Sequence, residues 1–588
     1  MNYASLLFKY LPESMKEEFV TLEEDLSNSP LYSDDLAPVP AEKRTWSTWH
    51  LAFIWVGMAV CIPTYMLAAF MIKSGMTWQA ALAIIGLANM VITVPMVLNG
   101  HAGVKYGVPF PVLGRASFGI FGIHIASILR ALVACGWFGI QTWVGGLAIY
   151  AIFNVVTGHE PSVGLDLGQF ISFGIFWLIN MFFVWKGTES IKWLEEYSAP
   201  ILILMGVALI IWGATTAGGF GLVLDQSKQL AKPTLELQSE GGKSTLLINP
   251  IRDKEGNFKA TDYQVSYSNH ASETWIPVVQ SEGSIAHQDG FLGSETATDG
   301  SATVKLRAKN SAGKMIESSA VTLSFKKDAA GSQSKIWMYL LAFTGMVGFW
   351  ATMSLSIADI TRYTKTQKAQ IRGQFIGLPG TMMLYSFVGI FVTCAAVVNF
   401  QDVLLADDAP WDPVSLISRF ESPVVVVVAQ IFMLIATLST NIAANVIAPA
   451  NAFSNLSPKK ISFKTGGTIT GIVGIVTCPW WLMNDIGPAL VFVSGLLGPV
   501  LGIMLADYYI VRKKELSLAD LFKMEGAYTY MSGFNMKAMI ALLAGVILAL
   551  VGYFVPALEV LYNLSWFTGF GAAFVLYALL MKKPQSQS

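Results

Sequence analysis

The sequence predicts an all-α polytopic membrane protein with twelve transmembrane helices and one inserted extracytoplasmic β-sandwich. Three observations support this fold class. Of the 588 residues, 54% are hydrophobic and only 13% are charged, whereas soluble domains carry roughly 25% charged residues. Long apolar runs recur along the chain, and one long polar segment has the alternation of β-strands. The net charge of -1 provides no basic surface for nucleic acid.

Each transmembrane helix needs about 20 apolar residues to cross a bilayer core about 30 Å thick. Twelve segments meet this need: 49–73, 79–100, 122–154, 168–186, 197–218, 335–358, 374–399, 423–449, 466–483, 487–510, 535–556 and 561–582. The four cysteines fall in apolar segments, without the spacing of a disulfide framework or a zinc site.

Positive charges fix the predicted orientation, because lysine and arginine stay on the cytoplasmic side of a membrane. They concentrate in alternate short loops, whereas the facing loop 400–422 holds five acids and one arginine. Both chain ends are therefore predicted to be cytoplasmic. The predicted divisions are a cytoplasmic segment 1–48, helices one to five in 49–224, the insert 225–334, helices six to twelve in 335–583, and a tail 584–588.

The polar segment 225–334 is predicted to fold separately on the outer face. Runs such as 263-YQVSYS-268 and 302-ATVKLRAKN-310 alternate with period two, between clusters of turn residues. The second run, together with Trp275, resembles a fibronectin type III or immunoglobulin-like domain. An extracytoplasmic partner of this β-sandwich is one hypothesis for its role.

Two helices are predicted to be interrupted. Pro63 lies in 57-GMAVCIPTY-65 and lacks the N–H of a regular helix, so the first helix is expected to open just before it. The sixth helix contains 345-GMVGFW-350, where two glycines weaken the helix. Breaks at equivalent places in two five-helix halves indicate an inverted repeat with a binding site between them. The alternative is kinks that neighbouring helices tolerate.

Two polar strips interrupt the apolar helices. Trp137 and Gln141 are four residues apart and share one helical face. The stretch 436-ATLSTNIAAN-445 carries Ser439, Thr440 and two asparagines. Such side chains also join membrane helices together, so a structural role is the alternative to a binding site.

Four stretches closely resemble the nucleobase:cation symporter-1 family of bacterial hydantoin, allantoin, uracil and cytosine permeases. They are 99-NGHAGVKYGVPFPVLGRASFG-119, 134-ACGWFGIQTWVGG-146, 436-ATLSTNIAAN-445 and 497-LGPVLGIMLADYYIVRKKELSLADL-521. The likeness runs from about Asp35 to the end, except for the insert. It implies a leucine-transporter-type fold, with a five-helix inverted repeat plus two helices, in a bacterial inner membrane.

The resemblance also implies residue roles. A planar heterocycle should lie between Trp137 and Trp350, with Gln141 and Asn445 bonding its amide edges. An amide both donates and accepts, which matches the alternating N–H and C=O groups of such rings. A sodium ion should bind the carbonyls and hydroxyls of five residues, namely Gly57, Val60, Ala436, Ser439 and Thr440.

Three residues narrow the class of substrate that we expect. Cys61 stands where family members carry glutamine or asparagine, and a thiol is a weak hydrogen-bonding group. Gly348 and Phe349 should offer a backbone contact, although Phe349 replaces a smaller residue. We therefore expect a simple ring such as uracil, a dihydropyrimidine or a hydantoin, rather than allantoin with its ureido tail.

The predicted function is sodium-coupled import of this ring by alternating access. The sequence shows no catalytic triad or carboxylate pair, so neither an enzyme nor an organic cofactor is expected. The alternatives are a proton-coupled allantoin or purine permease, and a transporter-derived sensor or receptor that uses its outer β-domain.

Two charged residues near the predicted site have simpler interpretations. Arg130 precedes Trp137 by two turns and is interpreted as snorkelling or pairing with a loop acid, with a role at a gate as the alternative. Asp359 lies near a helix end, where a solvated structural role is expected.

Overall fold

The structure, a computed structural model, describes residues 19–73, 76–159, 165–225, short stretches between 235 and 324, 335–399, 413–418, 420, 422–483 and 486–582. In its first half the α-helices are α1 Thr48–Ala59, α2 Ile62–Lys73, α3 Trp78–Tyr106, α4 Phe110–Phe118, α5 Ile123–Thr157, α6 Leu167–Lys186, α7 Thr188–Thr216 and α8 Phe220–Asp225. In its second half they are α9 Lys335–Phe349, α10 Ala351–Ser356, α11 Ala358–Thr361, α12 Gln367–Asn399, α13 Pro413–Ile417, α14 Pro423–Asn445, α15 Ile447–Leu456, α16 Phe463–Val476, α17 Pro479–Leu482, α18 Ile486–Leu505, α19 Met536–Phe554, α20 Glu559–Asn563 and α21 Ser565–Met581.

The helices form a mostly helical polytopic bundle. Within the described residues, nine helices are long and apolar enough to cross a membrane, and two bent pairs bring the number to eleven. The ninth predicted segment corresponds to α16, which is apolar but shorter. The full set of twelve therefore stays a prediction.

The break in the first predicted helix is confirmed. Helix α1 ends at Ala59 and α2 begins at Ile62, and the two meet at an angle of 64°. Pro63 lies at the second position of α2, where its missing N–H leaves no hydrogen bond unmade. The break exposes backbone carbonyl groups at the carboxyl end of α1.

The interruption predicted within 345–350 is present, but it lies at Trp350 and not at Gly345 or Gly348. Helix α9 continues through both glycines and stops at Trp350, where φ is -99° and ψ is 5°. Gly348 has a packing role, since a Cβ at this position would overlap the Ser494 hydroxyl. Glycine lowers helix stability by only about 1 kcal/mol, and tertiary packing of this size overrides it.

A further interruption separates α14 from α15 at Val446. Pro449 lies three residues later, and its missing N–H is the one that a regular helix would direct to the Asn445 carbonyl. Helix α14 packs against α1 and α5. The two broken helices and α5 therefore meet in the bundle interior.

The segment before α1 lies across one end of the helices. Val20 and Val39 donate backbone hydrogen bonds to the carbonyls of Lys105 and Gly107, at 2.8 and 2.9 Å. The buried Arg44 guanidinium donates to the Val39 and Val104 carbonyls. These bonds fix the segment to the end of α3.

Nine short β-strands lie between α8 and α9: β1 Leu235–Glu240, β2 Lys243–Ile248, β3 Ala260–Tyr267, β4 Ile276–Pro277, β5 Val279–Ser281, β6 Ser284–Ala286, β7 Ser301–Asn310, β8 Met315–Glu317 and β9 Val321–Ser324. They pair antiparallel in two sheets, ordered β1-β2-β6-β5 and β4-β3-β7-β8, with β9 also on β7. The Arg307 guanidinium lies 4.2 Å from the Trp275 ring. The stacking of the two sheets into a β-sandwich stays a prediction.

Candidate functional site

A small cavity lies where α1, α5, α9, α10 and α14 meet. The residues that line it are Met58, Cys61, Trp137, Gln141, Phe349, Trp350, Thr352, Met353, Thr440, Ala444 and Asn445. We call it the central cavity. It offers about 30 Å³ to the centres of water molecules, which is room for roughly two waters. A planar ring therefore needs side chains to move before it fits.

Aromatic rings form one side of the central cavity. Phe349 contacts both predicted tryptophans, with centroids 5.6 Å from Trp137 and 4.9 Å from Trp350. Trp55 packs edge-on against Trp350 at 5.2 Å. The Phe349 side chain thus takes up space beside both tryptophans.

Two buried polar atoms at the central cavity have no hydrogen-bond partner among the described residues. Gln141 is 2% exposed, and its Oε1 accepts no hydrogen bond from any described residue. The Trp350 Nε1 donor also has no partner in the described part of the chain. Leaving a buried polar atom unpaired costs about 1–3 kcal/mol. Among the described residues, the central cavity thus has one buried acceptor and one buried donor without a partner.

Cys61 keeps its thiol inside the same cavity. The sulfur lies 3.2 Å from the Thr64 hydroxyl, and Thr64 also contacts the Met382 sulfur at 3.6 Å. A thiol in the break between α1 and α2 is thus held beside the cavity by Thr64 of α2 and by a side-chain hydrogen bond with Gln141.

Asn445 lines the central cavity, but its amide is already engaged. Its Nδ2 donates to Asn441 Oδ1 at 3.1 Å. Asn441 in turn donates to the Thr142 hydroxyl and to Asn180 Oδ1, both at 3.1 Å. This chain of amides joins α14 to α5 and α6. It holds Asn445 in one orientation and so combines the helix-joining role with a place at the cavity.

The predicted cation residues on α1 and α14 come together. The Thr440 hydroxyl donates to the Gly57 carbonyl at 2.9 Å and lies 3.3 Å from the Met58 carbonyl. These carbonyls belong to the last turn of α1, where the helix dipole places partial negative charge. The contact lies directly beside the central cavity, since Thr440 and Met58 also line that cavity.

The other predicted cation residues surround this contact less directly. Ser439 is fully buried and accepts a hydrogen bond from the Ser198 hydroxyl at 3.1 Å. Val60 and Ala436 are buried in one hydrophobic cluster. The oxygen atoms on these helices are neutral carbonyls and hydroxyls, and unwound helix ends of this kind coordinate sodium in transporters. The donor set therefore fits a small hard cation.

The simpler interpretations of Arg130 and Asp359 are wrong. Arg130 is 1% exposed and donates to the Thr352 and Ala444 carbonyls at 2.9 and 3.3 Å, so it does not snorkel. Asp359 is 2% exposed and accepts hydrogen bonds from the Phe110 backbone N–H and from Asn451. Both charged side chains are held inside the bundle by close packing that one helix pattern cannot reveal.

Sequence reasoning missed four lining residues and one hydroxyl. Met58, Thr352, Met353 and Ala444 line the central cavity, and Ser198 contacts Ser439. The four lie within a turn of a predicted residue or break, so helical spacing could have indicated them. Gly348, in contrast, is absent from the described lining and packs on Ser494.

Known proteins are similar to this chain in sequence and in fold. A family described as permeases for cytosine/purines, uracil, thiamine and allantoin matches residues 38–239 and 310–569. The unmatched residues 240–309 fall within the predicted insert. The allantoin permease of Bacillus subtilis is 34% identical over 570 residues, which cover 95% of each chain. The purine-uracil permease of Arabidopsis thaliana is 32% identical over 574 residues, covering 94% of this chain and 78% of its own.

A solved structure shows the same fold. Mhp1, a nucleobase-cation-symport-1 family transporter in a closed conformation with bromovinylhydantoin bound, superposes with a TM-score of 0.65 at 24% identity. The match covers 94% of this chain and 95% of Mhp1. The homologues are permeases and not enzymes. The chain is thus a multi-pass membrane transporter and belongs to the nucleobase:cation symporter-1 family of permeases for cytosine/purines, uracil, thiamine and allantoin.

Proposed function

We propose that the protein is a sodium-coupled symporter that imports a small planar heterocycle of the uracil, dihydropyrimidine or hydantoin type. In a bacterium it would lie in the inner membrane, with both chain ends in the cytoplasm. The observation that carries this proposal is the position of the Thr440–Gly57 contact directly beside the central cavity. The carboxyl end of α1 and the polar strip of α14 contribute residues both to the cavity and to this contact.

The ring would use the unpaired atoms of the central cavity. A ring N–H can donate to Gln141 Oε1, and a ring carbonyl can accept from Trp350 Nε1. Trp137 offers an aromatic face, where stacking adds about 0.5–1.5 kcal/mol. Binding would thereby remove the cost of burying these two polar atoms unpaired.

Sodium would bind between the end of α1 and the hydroxyls of α14. The Thr440 hydroxyl proton would turn away from the Gly57 carbonyl, so that both oxygens face the ion. Ser439 supplies a second hydroxyl, and Val60 and Ala436 supply carbonyls. An ion here would join the broken helix to α14 and thereby favour the ordered central cavity. By linkage, the ring must then raise sodium affinity by the same factor.

Allantoin is a second candidate substrate, because a relative at 34% identity is named an allantoin permease. The cavity favours the smaller rings. Phe349 fills space beside both tryptophans, and a ureido tail needs additional room. Cys61 also offers a weaker hydrogen bond than an amide.

Transport by the purified protein in liposomes tests the proposal. Radiolabelled uracil, hydantoin and allantoin are each supplied with an inward sodium gradient, a potassium gradient or an inward proton gradient. We expect one of the two simple rings to accumulate only with sodium. Accumulation driven by protons alone supports the proton-coupled alternative. Folded protein that accumulates no ring under any gradient supports the receptor alternative.

A further inference from the structure

A second and larger cavity lies between the amino-terminal segment and the helix ends. It measures about 570 Å³, and the residues that define it include Asp35, Trp46, Ile54, Asp359, Arg362 and Ala443. We call it the terminal cavity. This volume lies within the range of about 300–1,000 Å³ typical of small-molecule sites.

The terminal cavity lies directly behind the central cavity. Ile54 lines the terminal cavity and Met58 lines the central one, one turn further along α1. Ala443 and Ala444, neighbours on α14, likewise line the terminal and central cavities. Four residues of helix span about 6 Å. The two cavities are therefore separated by about one helical turn of α1.

Two charged side chains of the terminal cavity each keep one polar atom unpaired. Asp359 uses Oδ1 for the Phe110 N–H at 3.1 Å and the Asn451 amide at 3.0 Å, while no described residue donates to Oδ2. Arg362 uses its two terminal nitrogens, for the Asp35 carbonyl at 3.1 Å and the Tyr363 hydroxyl at 2.7 Å. Its Nε has no acceptor within the described ranges. Asp359 and Arg362 are only 2% and 4% exposed.

The terminal cavity also has an aromatic ring, that of Trp46. Trp46 lines the terminal cavity and stacks obliquely on Tyr363, with centroids 5.0 Å apart. Its backbone is held on both sides, because Trp46 donates to the Tyr363 carbonyl at 3.0 Å and accepts from the Lys365 N–H at 2.9 Å. The indole is therefore placed by main-chain bonds that do not depend on its own side chain.

We propose that the terminal cavity is a second binding site for the transported ring. A planar amide- or imide-containing heterocycle would lie against Trp46. Asp359 Oδ2 and Arg362 Nε are buried beneath the cavity surface, so these side chains would shift to let the ring donate an N–H to Oδ2 and accept at a carbonyl from Nε. One acidic and one basic partner favour an uncharged ring with both functions on one edge. The inference rests on the proposed function for its class of ligand, although it concerns different residues.

The site gives transport an intermediate step. A ring released from the central cavity would be held in the terminal cavity before it reaches the solvent beyond residues 34–46. The same site would accept rings from the solvent, so a high concentration on that side would slow release. Two sites with the same chemistry, one turn apart, would then bind two rings per chain at saturation.

Equilibrium dialysis of the purified full-length protein in sodium tests this inference, with radiolabelled uracil and, in parallel, radiolabelled hydantoin. We expect two bound rings per chain for the wild type and one for Trp137→Ala. Asp359→Asn keeps the side-chain shape but puts a donor where the free acceptor was, and should weaken one site about ten-fold or more. Glu42→Gln neutralises an exposed acid of the same cavity and should retain both sites.

Trp46→Ala tests the same site independently, in case Asp359→Asn does not fold. The backbone hydrogen bonds at position 46 remain in this variant. It should lose the same site that Asp359→Asn loses and retain the site that Trp137→Ala loses. One ring per chain in the wild type, abolished by Trp137→Ala, would overturn the second site and leave the proposed function intact. Two sites unaffected by Asp359→Asn and Trp46→Ala would also overturn it. No binding of either ring would overturn both proposals.

Discussion

At the residue scale, Gln141 and Thr440 have different bonding states that match their proposed roles. Gln141 buries an acceptor without a partner in the described structure, as expected of a group that meets a ligand. Thr440 is bonded to the backbone of a broken helix, as expected of a group that holds two helices and an ion. Substitutions at these two positions should therefore affect different measurements.

Replacing Gln141 by leucine should lower ring affinity about 10- to 100-fold, because a hydrogen bond of about 1–3 kcal/mol is lost. Isothermal titration with the preferred ring measures this loss. Gln430→Leu is the matched control, since Gln430 is also buried on a membrane helix but lies outside the described lining of the central cavity. Equal affinity in Gln141→Leu and wild type would exclude Gln141 from the site.

Replacing Thr440 by valine removes the hydroxyl at nearly constant volume. We expect the sodium concentration for half-maximal uptake to rise about ten-fold, in line with the loss of one oxygen ligand or hydrogen bond. Thr440→Ser retains the oxygen and should behave like the wild type. Thr437→Val is the control, because Thr437 is equally buried on α14. An unchanged sodium dependence in Thr440→Val contradicts the assignment.

The sequence predicted single residues best where helical spacing decides. Trp137 and Gln141 are one turn apart, and both line the central cavity. Asn441 and Asn445 are likewise one turn apart and bonded to each other, but the further bonds of Asn441 to Thr142 and Asn180 of two other helices were not predictable from spacing. Contacts between distant segments also decide the burial of Arg130 and Asp359, and their charge alone indicated solvent.

At the element scale, proline positions explain the two breaks that shape the site. Pro63 and Pro449 each follow an interruption by three residues or fewer. The first break was predicted from Pro63. Pro449 was equally good evidence in the sequence for the second break. The glycines of α9 gave a misleading signal, because Gly348 serves close packing with Ser494. Proline removes a hydrogen bond, whereas glycine only permits a change in conformation.

Replacing Pro63 by alanine should favour a continuous first helix, since an interior proline disfavours a helix by about 3 kcal/mol. A straighter helix withdraws the carbonyls at the end of α1, so sodium-driven uptake should fall several-fold. Liposome uptake measures this change. Pro95→Ala is the control, because α3 continues through Pro95 without a break. Uptake that is lowered equally by both substitutions would point to a general loss of stability.

At the scale of the whole molecule, hydropathy and positive charge predicted the bundle, and family motifs predicted its fold. Eleven of the predicted membrane segments have a described counterpart that is long enough, counting bent pairs as one. The insert is the departure from this plan. Its alternating runs predicted strands, and two antiparallel sheets are present. The arrangement of those sheets is a tertiary property that strand alternation does not determine.

Deleting 226–333 and joining the ends with a short glycine-serine linker should leave uptake unchanged. Most of the deleted segment, 240–309, lies outside the family match, and the described lining residues of the central cavity all lie elsewhere. Uptake by the shortened protein in liposomes is the measurement. If ring binding and uptake are both lost from folded protein, the insert takes part in transport.

The central claim is that one pair of broken helices binds a ring and a sodium ion in adjacent, coupled places. Isothermal titration of the purified protein with uracil or hydantoin, at increasing sodium and constant ionic strength with potassium, tests it most directly. We predict that ring affinity rises with sodium in the wild type, and that the rise is lost in Thr440→Val. Ring affinity that is the same in sodium and in potassium would contradict the account.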